Sequence, residues 1–331
     1  MGFWSIYGEH PHWAAMAKNI LSIIIPVRNQ PATLDELLTN LDAQPCPNGW
    51  EVEVIVVDNS STDNTPEVIK RHDTTYLLET TLGPSVARNA GVAASRGDLL
   101  WFIDADAVPL ADDFLVRIVS TANELGDFGG FGGPILLPEQ QKNNPIAFAD
   151  HMACWSVWGA SRSDGVSDFQ PTSFICRRDD FVAIGGFNIE LRVLEDWDLQ
   201  MRLQQSRELP DGSSKPESSL LFMQHLPVAH SARSSLLRTL KHSWYWGLPS
   251  RTGWFGRSGV SVARMEQPFV RWLVLPSLIW HRIKHPLKTG WQVSPVRAVI
   301  SLPFLLLTLI VWGVAVIVGQ GQPDDDDVAP V

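Results

Sequence analysis

The chemistry most legible in this chain rests on two pairs of carboxylates. The first lies in Trp101-Phe102-Ile103-Asp104-Ala105-Asp106, where an uninterrupted apolar run stops on an acid. In an extended segment residues i and i+2 point the same way, so both carboxylates would face one spot. Like charges so placed are unfavourable unless a cation lies between them, and oxygen ligands suit Mg²⁺ or Mn²⁺. On spacing alone, a solvated turn with two incidental aspartates explains the same residues. The second pair, Glu195-Asp196, opens a helix expected over Glu195 to Gln205. Acids in a first turn suit the helix dipole, and a carboxylate within reach of a hydroxyl can take its proton. Adjacent residues on a helix point about 100° apart, so only one of the two can aim at a given hydroxyl.

Positioning such groups needs a rigid frame. Leu21 to Ile25 is a continuous apolar run ended by Pro26, Val52 to Val57 a second ended by Asp58, and Leu99 to Ile103 a third ended by Asp104. Runs of this kind predict strands buried on both faces, as in a parallel sheet. Leu34, Leu37, Leu38 and Leu41 fall at helical spacing between the first two, with Thr33 and Glu36 spaced as a capping box. Thr65 before Pro66 reads as an N-cap followed by proline at the first helical position. Alternating strand and helix predict an α/β fold. Ligands of open parallel sheets bind at the carboxyl ends of the strands, which places Asn29, Asp58 and Asp104 on one rim. Later, Pro145 to Arg162 predicts a helix, Phe174 to Cys176 a short strand, Gly185-Gly186 a turn and residues 210–219 a loose loop. Trp155, Trp158, Trp197, Trp244 and Trp246 could stack on an acceptor or simply pack.

The charge of −10 over 331 residues is unevenly spread. Residues 1–229 hold 15 Lys/Arg against 31 Asp/Glu, whereas residues 230–300 hold 11 Lys/Arg against Glu266 alone. An acidic main body argues against nucleic acid as a partner, and a basic block before an apolar run marks a membrane surface. That run, Ala298 to Gly319, is 22 uncharged residues, long enough to span a bilayer. Basic residues before it and Asp324 to Asp327 after it predict a cytoplasmic catalytic part. Trp272 to Trp280 reads as an interfacial helix or as a packed core helix. Residues 1–20 contain no apolar signal-peptide core. The three cysteines show no metal-ligand spacing, and a reducing compartment is expected.

Five segments in order carry a resemblance. They are Leu21-Ser-Ile-Ile-Ile-Pro-Val-Arg-Asn29; Val54-Ile-Val-Val-Asp-Asn-Ser-Ser-Thr-Asp-Asn-Thr65; Ala87-Arg-Asn-Ala-Gly91; Gly97-Asp-Leu-Leu-Trp-Phe-Ile-Asp-Ala-Asp106; and Gly185-Gly-Phe187 with Leu194-Glu-Asp-Trp-Asp-Leu199. Together they resemble family-2 glycosyltransferases of the GT-A fold, over roughly residues 20–232. The resemblance implies a nucleotide-binding, mostly parallel sheet flanked by helices, and inverting transfer of a hexosyl group from a UDP- or GDP-sugar. The acceptor would be lipid-linked or a glycan of the cell envelope.

The resemblance also implies roles. Asp58 would bind the nucleoside base, with Pro26, Arg28 and Ala105 lining the donor pocket. Asp104 would approach the ribose and the metal, and Asp106 would ligate the metal. Asp196 would be the general base, with Glu195 as its rival. Arg88 would hold the donor or form a surface salt bridge. His230 would complete the Mn²⁺ or Mg²⁺ site or be structural; His225 and His242 are weaker candidates.

Gln204-Gln-Ser-Arg207 lacks the tryptophan of processive synthases in this family, so single transfer is expected. The expected organisation is an extension (1–20), a catalytic domain (21–232), a basic membrane-surface segment (233–297), a transmembrane helix (298–319) and an acidic tail (320–331). Two other classes stay open: a non-catalytic glycan-binding or scaffold protein on a degenerate transferase fold, and a nucleotidyltransferase. The first would lack Asp106 or Asp196, and the second would carry a Gly-rich phosphate loop near residues 20–35; neither mark is present.

Overall fold

Each apolar run that stops on a polar residue becomes a strand of one sheet. A computed structural model describes residues 19–167, 172–207, 220–249 and 270–319. In it β1 (Ile20–Val27), β2 (Glu51–Asp58), β3 (Thr75–Leu78) and β4 (Leu99–Ile103) lie side by side in the order β3-β2-β1-β4, all parallel. Every residue of β4 is buried, and all of β1 except Pro26. This is the burial expected of strands covered on both faces. The crossovers that parallel strands require are α1 (Pro31–Asp42), α2 (Thr65–Ile69) and α3 (Pro84–Ala94). The register opposes Val27 to Asp58, which brings the ends of β1 and β2 level.

The chain continues through β5 (Ala107–Pro109), α4 (Phe114–Leu125), β6 (Gly130–Gly132), β7 (Ile135–Leu136), α5 (Pro145–Trp155), β8 (Gly165–Ser167), β9 (Ser173–Arg177), α6 (Arg178–Ala183), α7 (Glu195–Ser206), β10 (Leu220–Phe222) and β11 (Val228–His230). The large sheet has the order β3-β2-β1-β4-β9-β6-β10-β8. Strand β9 runs antiparallel to β4 and β6, and β8 antiparallel to β10, so four of the seven pairings are parallel. The sheet is mostly parallel, with α/β layering as expected.

Leu34, Leu37, Leu38 and Leu41 are the buried face of α1. The capping box is not formed. Proline suits the first helical position because its φ is already helical, and α1 starts at Pro31, which puts Thr33 inside the helix. Gln30 is the N-cap instead, and its N–H donates to Thr65 Oγ1 at 3.2 Å. Likewise α2 starts at Thr65 rather than after it, and the Thr65 hydroxyl donates to Asp63 Oδ1 at 2.6 Å. Two tight approaches explain two glycines. A Cβ on Gly91 of α3 would lie 2.6 Å from Ile24 Cγ2 of β1. One on Gly133 would lie 2.0 Å from the Leu226 carbonyl oxygen.

The described chain divides into two units. The first comprises residues 19–134 and 163–229 and holds the large sheet. The second comprises residues 135–162 and 230–319 and is mainly helical, with α5, α8 (Leu236–Gly247), α9 (Leu275–Val293) and α10 (Pro295–Val318). Helix α5 ends at Trp155, short of the Arg162 expected, in a 3₁₀ turn over Ser156–Trp158. Asn144 caps its start by accepting the N–H groups of Ile146 and Ala147 at 2.9 and 3.1 Å.

Helix α10 has 24 residues of mean hydropathy 2.5, long and apolar enough to cross a membrane. It starts three residues before the expected boundary, where the Ser294 side chain accepts from the Arg297 N–H. Leu305, Leu309, Trp312 and Val316 form its buried face, while Val296, Val299, Ile300 and Ile310 are exposed. Helix α9 is longer than the helix expected over Trp272 to Trp280. Trp272, Leu273, Trp280 and Trp291 are exposed, whereas Val274, Leu278 and Ile279 pack against buried residues of the same unit. Residues 1–18, the 210–219 loop and the acidic tail lie outside the described residues.

Candidate active site

The loops leaving β1 and β2 are fastened together. Asn29 takes a left-handed backbone (φ 55), which asparagine tolerates better than most residues. Its side-chain oxygen accepts the Thr62 N–H at 2.7 Å, and its own N–H donates to Ser61 Oγ at 2.9 Å. Asp58 is buried; its Oδ1 accepts the Ser61 N–H at 2.8 Å and its Oδ2 the Tyr76 hydroxyl at 3.2 Å. Pro26 and Arg28 are half-buried on the same edge, and Arg28 Nε has no hydrogen-bond partner among the described residues.

The Asp104-Ala105-Asp106 segment departs from expectation in how it brings its carboxylates together. It is not extended. Strand β4 stops at Ile103, and the Ala107 N–H donates to the Asp104 carbonyl at 3.0 Å, closing a tight turn. Ala105 fills the core, and carboxylate oxygens of Asp104 and Asp106 lie within 4.8 Å of each other. The turn, not the strand pleat, makes them converge. Two carboxylates this close, one buried and one partly exposed, present the all-oxygen donors that Mg²⁺ or Mn²⁺ prefers, so the residues present fit such an ion.

Arg88 is the hub of this site. On α3 it donates through Nη2 to Asp104 Oδ1 and through Nη1 to Glu195 Oε1, both at 2.8 Å, and its guanidinium lies 5.3 Å from the Phe187 ring. Its side chain is 12% exposed, which sets aside a surface salt bridge. Burial opposes the guanidinium charge, but Asp104 and Glu195 more than offset it and raise its pKa. The next residue, Asn89, is buried and grips the Gly186-Phe187 turn. It donates to the Phe187 carbonyl and accepts the Phe187 N–H, both at 2.9 Å.

Glu195 and Asp196 follow Leu194, whose positive φ of 68 is uncommon for a branched side chain. Burial pushes both carboxyls up, and Arg88 opposes this. Asp196, raised further by the charge of Glu195, reaches about 8. Arg88, Asp104, Asp196 and Gln200 line a pocket of about 20 Å³, room for one water-sized group. Glu195 is thus committed to Arg88, whereas Asp196 borders the pocket.

His225 Nε2 is 2.8 Å from the Thr121 hydroxyl. His230 ends β11 and is buried in the second unit, its ring 5.0 Å from that of Trp155. Trp155 also packs against Trp158 at 6.3 Å. Sequence reasoning missed Arg88 as a bridge and Asn89 altogether. The one signal for Asn89 was a polar residue amid a helix face that is otherwise small and apolar.

Residues 22–143 match the family described as glycosyl transferase family 2. This segment belongs to that family. Within the family-2 match lie the strand-end turn with Asp104 and Asp106, and Arg88. The chain is 35% identical over 112 residues to glycosyltransferase AglE of Haloferax volcanii, a match covering 32% of this chain and 36% of that protein. It is 26% identical over 207 residues to the beta-monoglucosyldiacylglycerol synthase of a Nostoc species, covering 55% of this chain and 41% of that one. The match thus spans well under half of either relative. Among solved structures, the mannosyltransferase PcManGT from Pyrobaculum calidifontis, in complex with GDP-Man and Mn²⁺, superposes with a TM-score of 0.57 over 92% of both chains at 16% identity. That likeness is one of fold, and the fold is GT-A.

Proposed function

We propose that this protein transfers a hexosyl unit from a UDP- or GDP-sugar to the hydroxyl of a membrane-proximal acceptor, lipid-linked or a glycan, with inversion. The observation that carries the reading is the Arg88 bridge, which joins the metal-type carboxylate Asp104 to the Glu195-Asp196 pair at one pocket. Asp58 and the edge formed by Pro26, Arg28 and Ala105 receive the nucleotide, with Arg28 Nε free to donate to it. Asp104 and Asp106 would hold Mn²⁺ or Mg²⁺, which when bound neutralises the diphosphate of the donor. Asp196 takes the proton from the acceptor hydroxyl as its oxygen attacks the anomeric carbon, and the bond to the diphosphate breaks with its electron pair leaving on that group. Glu195, paired to Arg88, stays a positioning residue. The catalytic domain is read as residues 21–232.

AglE carries the name glycosyltransferase, the Nostoc synthase is named for a glucosylated diacylglycerol, and PcManGT was captured with GDP-Man and Mn²⁺. These names support the class of donor and a membrane acceptor. Helix α10, read as a transmembrane anchor with the catalytic side cytoplasmic, would keep the site beside lipid.

The test is a screen of the full chain in detergent against nucleotide sugars, with and without Mn²⁺. A metal-dependent melting shift by one donor is expected, lost with transfer activity in Asp106→Asn while the melting temperature without ligand is kept. Full activity in excess chelator overturns the metal reading.

A further inference from the structure

Asp150 and Cys154 are four residues apart on α5, which puts them on one helix face a turn apart. His242 of α8 completes a group. A carboxylate oxygen of Asp150, Cys154 Sγ and a ring nitrogen of His242 all lie within 4.8 Å of one another. All three belong to the second unit, and none takes part in the chemistry above.

The bonding of the group is incomplete. Asp150 is 1% exposed; its Oδ2 accepts the Arg233 N–H at 3.0 Å and Nη1 at 3.4 Å, but its Oδ1 has no hydrogen-bond partner among the described residues. His242 Nδ1 is likewise buried without one. Buried polar atoms left this way are costly. A cation in contact with them removes that cost.

We propose that Asp150, Cys154 and His242 form a Zn²⁺ site that ties α5 to α8. A thiolate, an imidazole and a carboxylate are a zinc donor set, and tetrahedral zinc accepts a further ligand beside three from protein. Hard ions such as Mg²⁺ prefer oxygen alone. Without a metal, burial and the charge of Asp150 push the Cys154 thiol up to about 12, against the opposing pull of Arg233 and Arg282. Binding therefore releases the thiol proton to solvent as the sulfur–metal bond forms.

Full-length protein in detergent, stripped with chelator, is titrated with Co²⁺ and then Zn²⁺. The expected result is a thiolate-to-Co²⁺ charge-transfer band that Zn²⁺ abolishes by displacement and Mg²⁺ does not. The band should persist in Cys46→Ser and Asp106→Asn and vanish in Cys154→Ser. His242→Gln should keep the band but weaken Zn²⁺ by more than the roughly 10–100-fold lost with a ligand's outer partner. No band in the parent protein, or a band surviving in Cys154→Ser, overturns the site. If Cys154→Ser does not fold, His242→Gln decides alone, and unchanged Zn²⁺ affinity overturns it.

Discussion

The strand-end turn of the first unit and the helical cluster of the second gather metal-type ligands by different routes. In the first, two aspartates separated by one residue are turned toward each other by a single backbone hydrogen bond after β4. The donors are all oxygen, and Asp104 stays partly exposed. In the second, a carboxylate, a thiol and an imidazole come from two helices, and two of their polar atoms are buried without hydrogen-bond partners among the described residues. The comparison teaches that donor type follows local structure here: a turn at a strand end gathers oxygen alone, whereas two helices bring together oxygen, sulfur and nitrogen.

The largest effect that would break this comparison concerns the base. Asp196→Asn should lower transfer by roughly 10²–10⁴-fold while sparing nucleotide-sugar affinity. Glu195→Gln, which weakens a positioning contact to Arg88, should cost less. If Glu195→Gln is the dead enzyme and Asp196→Asn stays active, the pair is assigned the wrong way round. The pH profile sharpens the point. A base raised to about 8 by burial is protonated at neutral pH, so the rate should climb with pH and level off above that value. The same shift has the opposite sign for stability. The folded state holds the proton more tightly than the unfolded one, so this group's contribution declines as pH rises from the ordinary carboxyl range toward about 8.

A smaller effect follows from the Arg88 bridge. Arg88→Met removes the cation that buried Glu195 and partly exposed Asp104 share. Breaking a buried pair from one side typically costs about 3–5 kcal/mol, read as a fall in denaturation midpoint. In the double variant Arg88→Met with Glu195→Gln, the uncompensated charge on the more buried carboxylate, Glu195, is gone and part of that loss should return. Equal loss in both would mean that Arg88 acts through packing on Phe187 rather than through charge.

Strands β1 and β4 were legible because they are almost wholly apolar, the pattern of strands covered on both faces, whereas β2 carries Glu51 and Glu53 at its more open start and is buried from Ile55 on. Strands β6, β8 and β10 have three residues each, too few for any period, and tertiary pairing alone defines them. The candidate site residues were legible from a resemblance, but their geometry was not. No local pattern announces that Arg88 reaches Glu195 across 107 positions, or that a turn aims Asp104 and Asp106. Cysteine spacing gave no hint of Cys154 as a ligand because its partners are an aspartate one turn away and a histidine on another helix.

The smallest effect concerns lipid. On α9, Lys284 and Lys288 are exposed beside Trp280, with Lys284 Nζ 5.0 Å from the Trp280 ring. Basic and aromatic side chains sharing a helix face suit the headgroup layer, whereas α10, uncharged from Ala298 on, suits the hydrocarbon. The two helices should therefore answer salt differently. High salt should leave the full chain in the membrane, since α10 carries no charge to screen between Ala298 and Gly319. Salt should abolish only the enrichment of anionic lipid around α9. Brominated anionic lipid in nanodiscs reports this enrichment through quenching of tryptophan fluorescence. Each of Lys284→Glu and Lys288→Glu removes an attraction of about 1 kcal/mol, roughly fivefold in local enrichment at low salt. Release of the whole chain by salt would show that α10 is a core helix and that charge alone holds the protein to lipid.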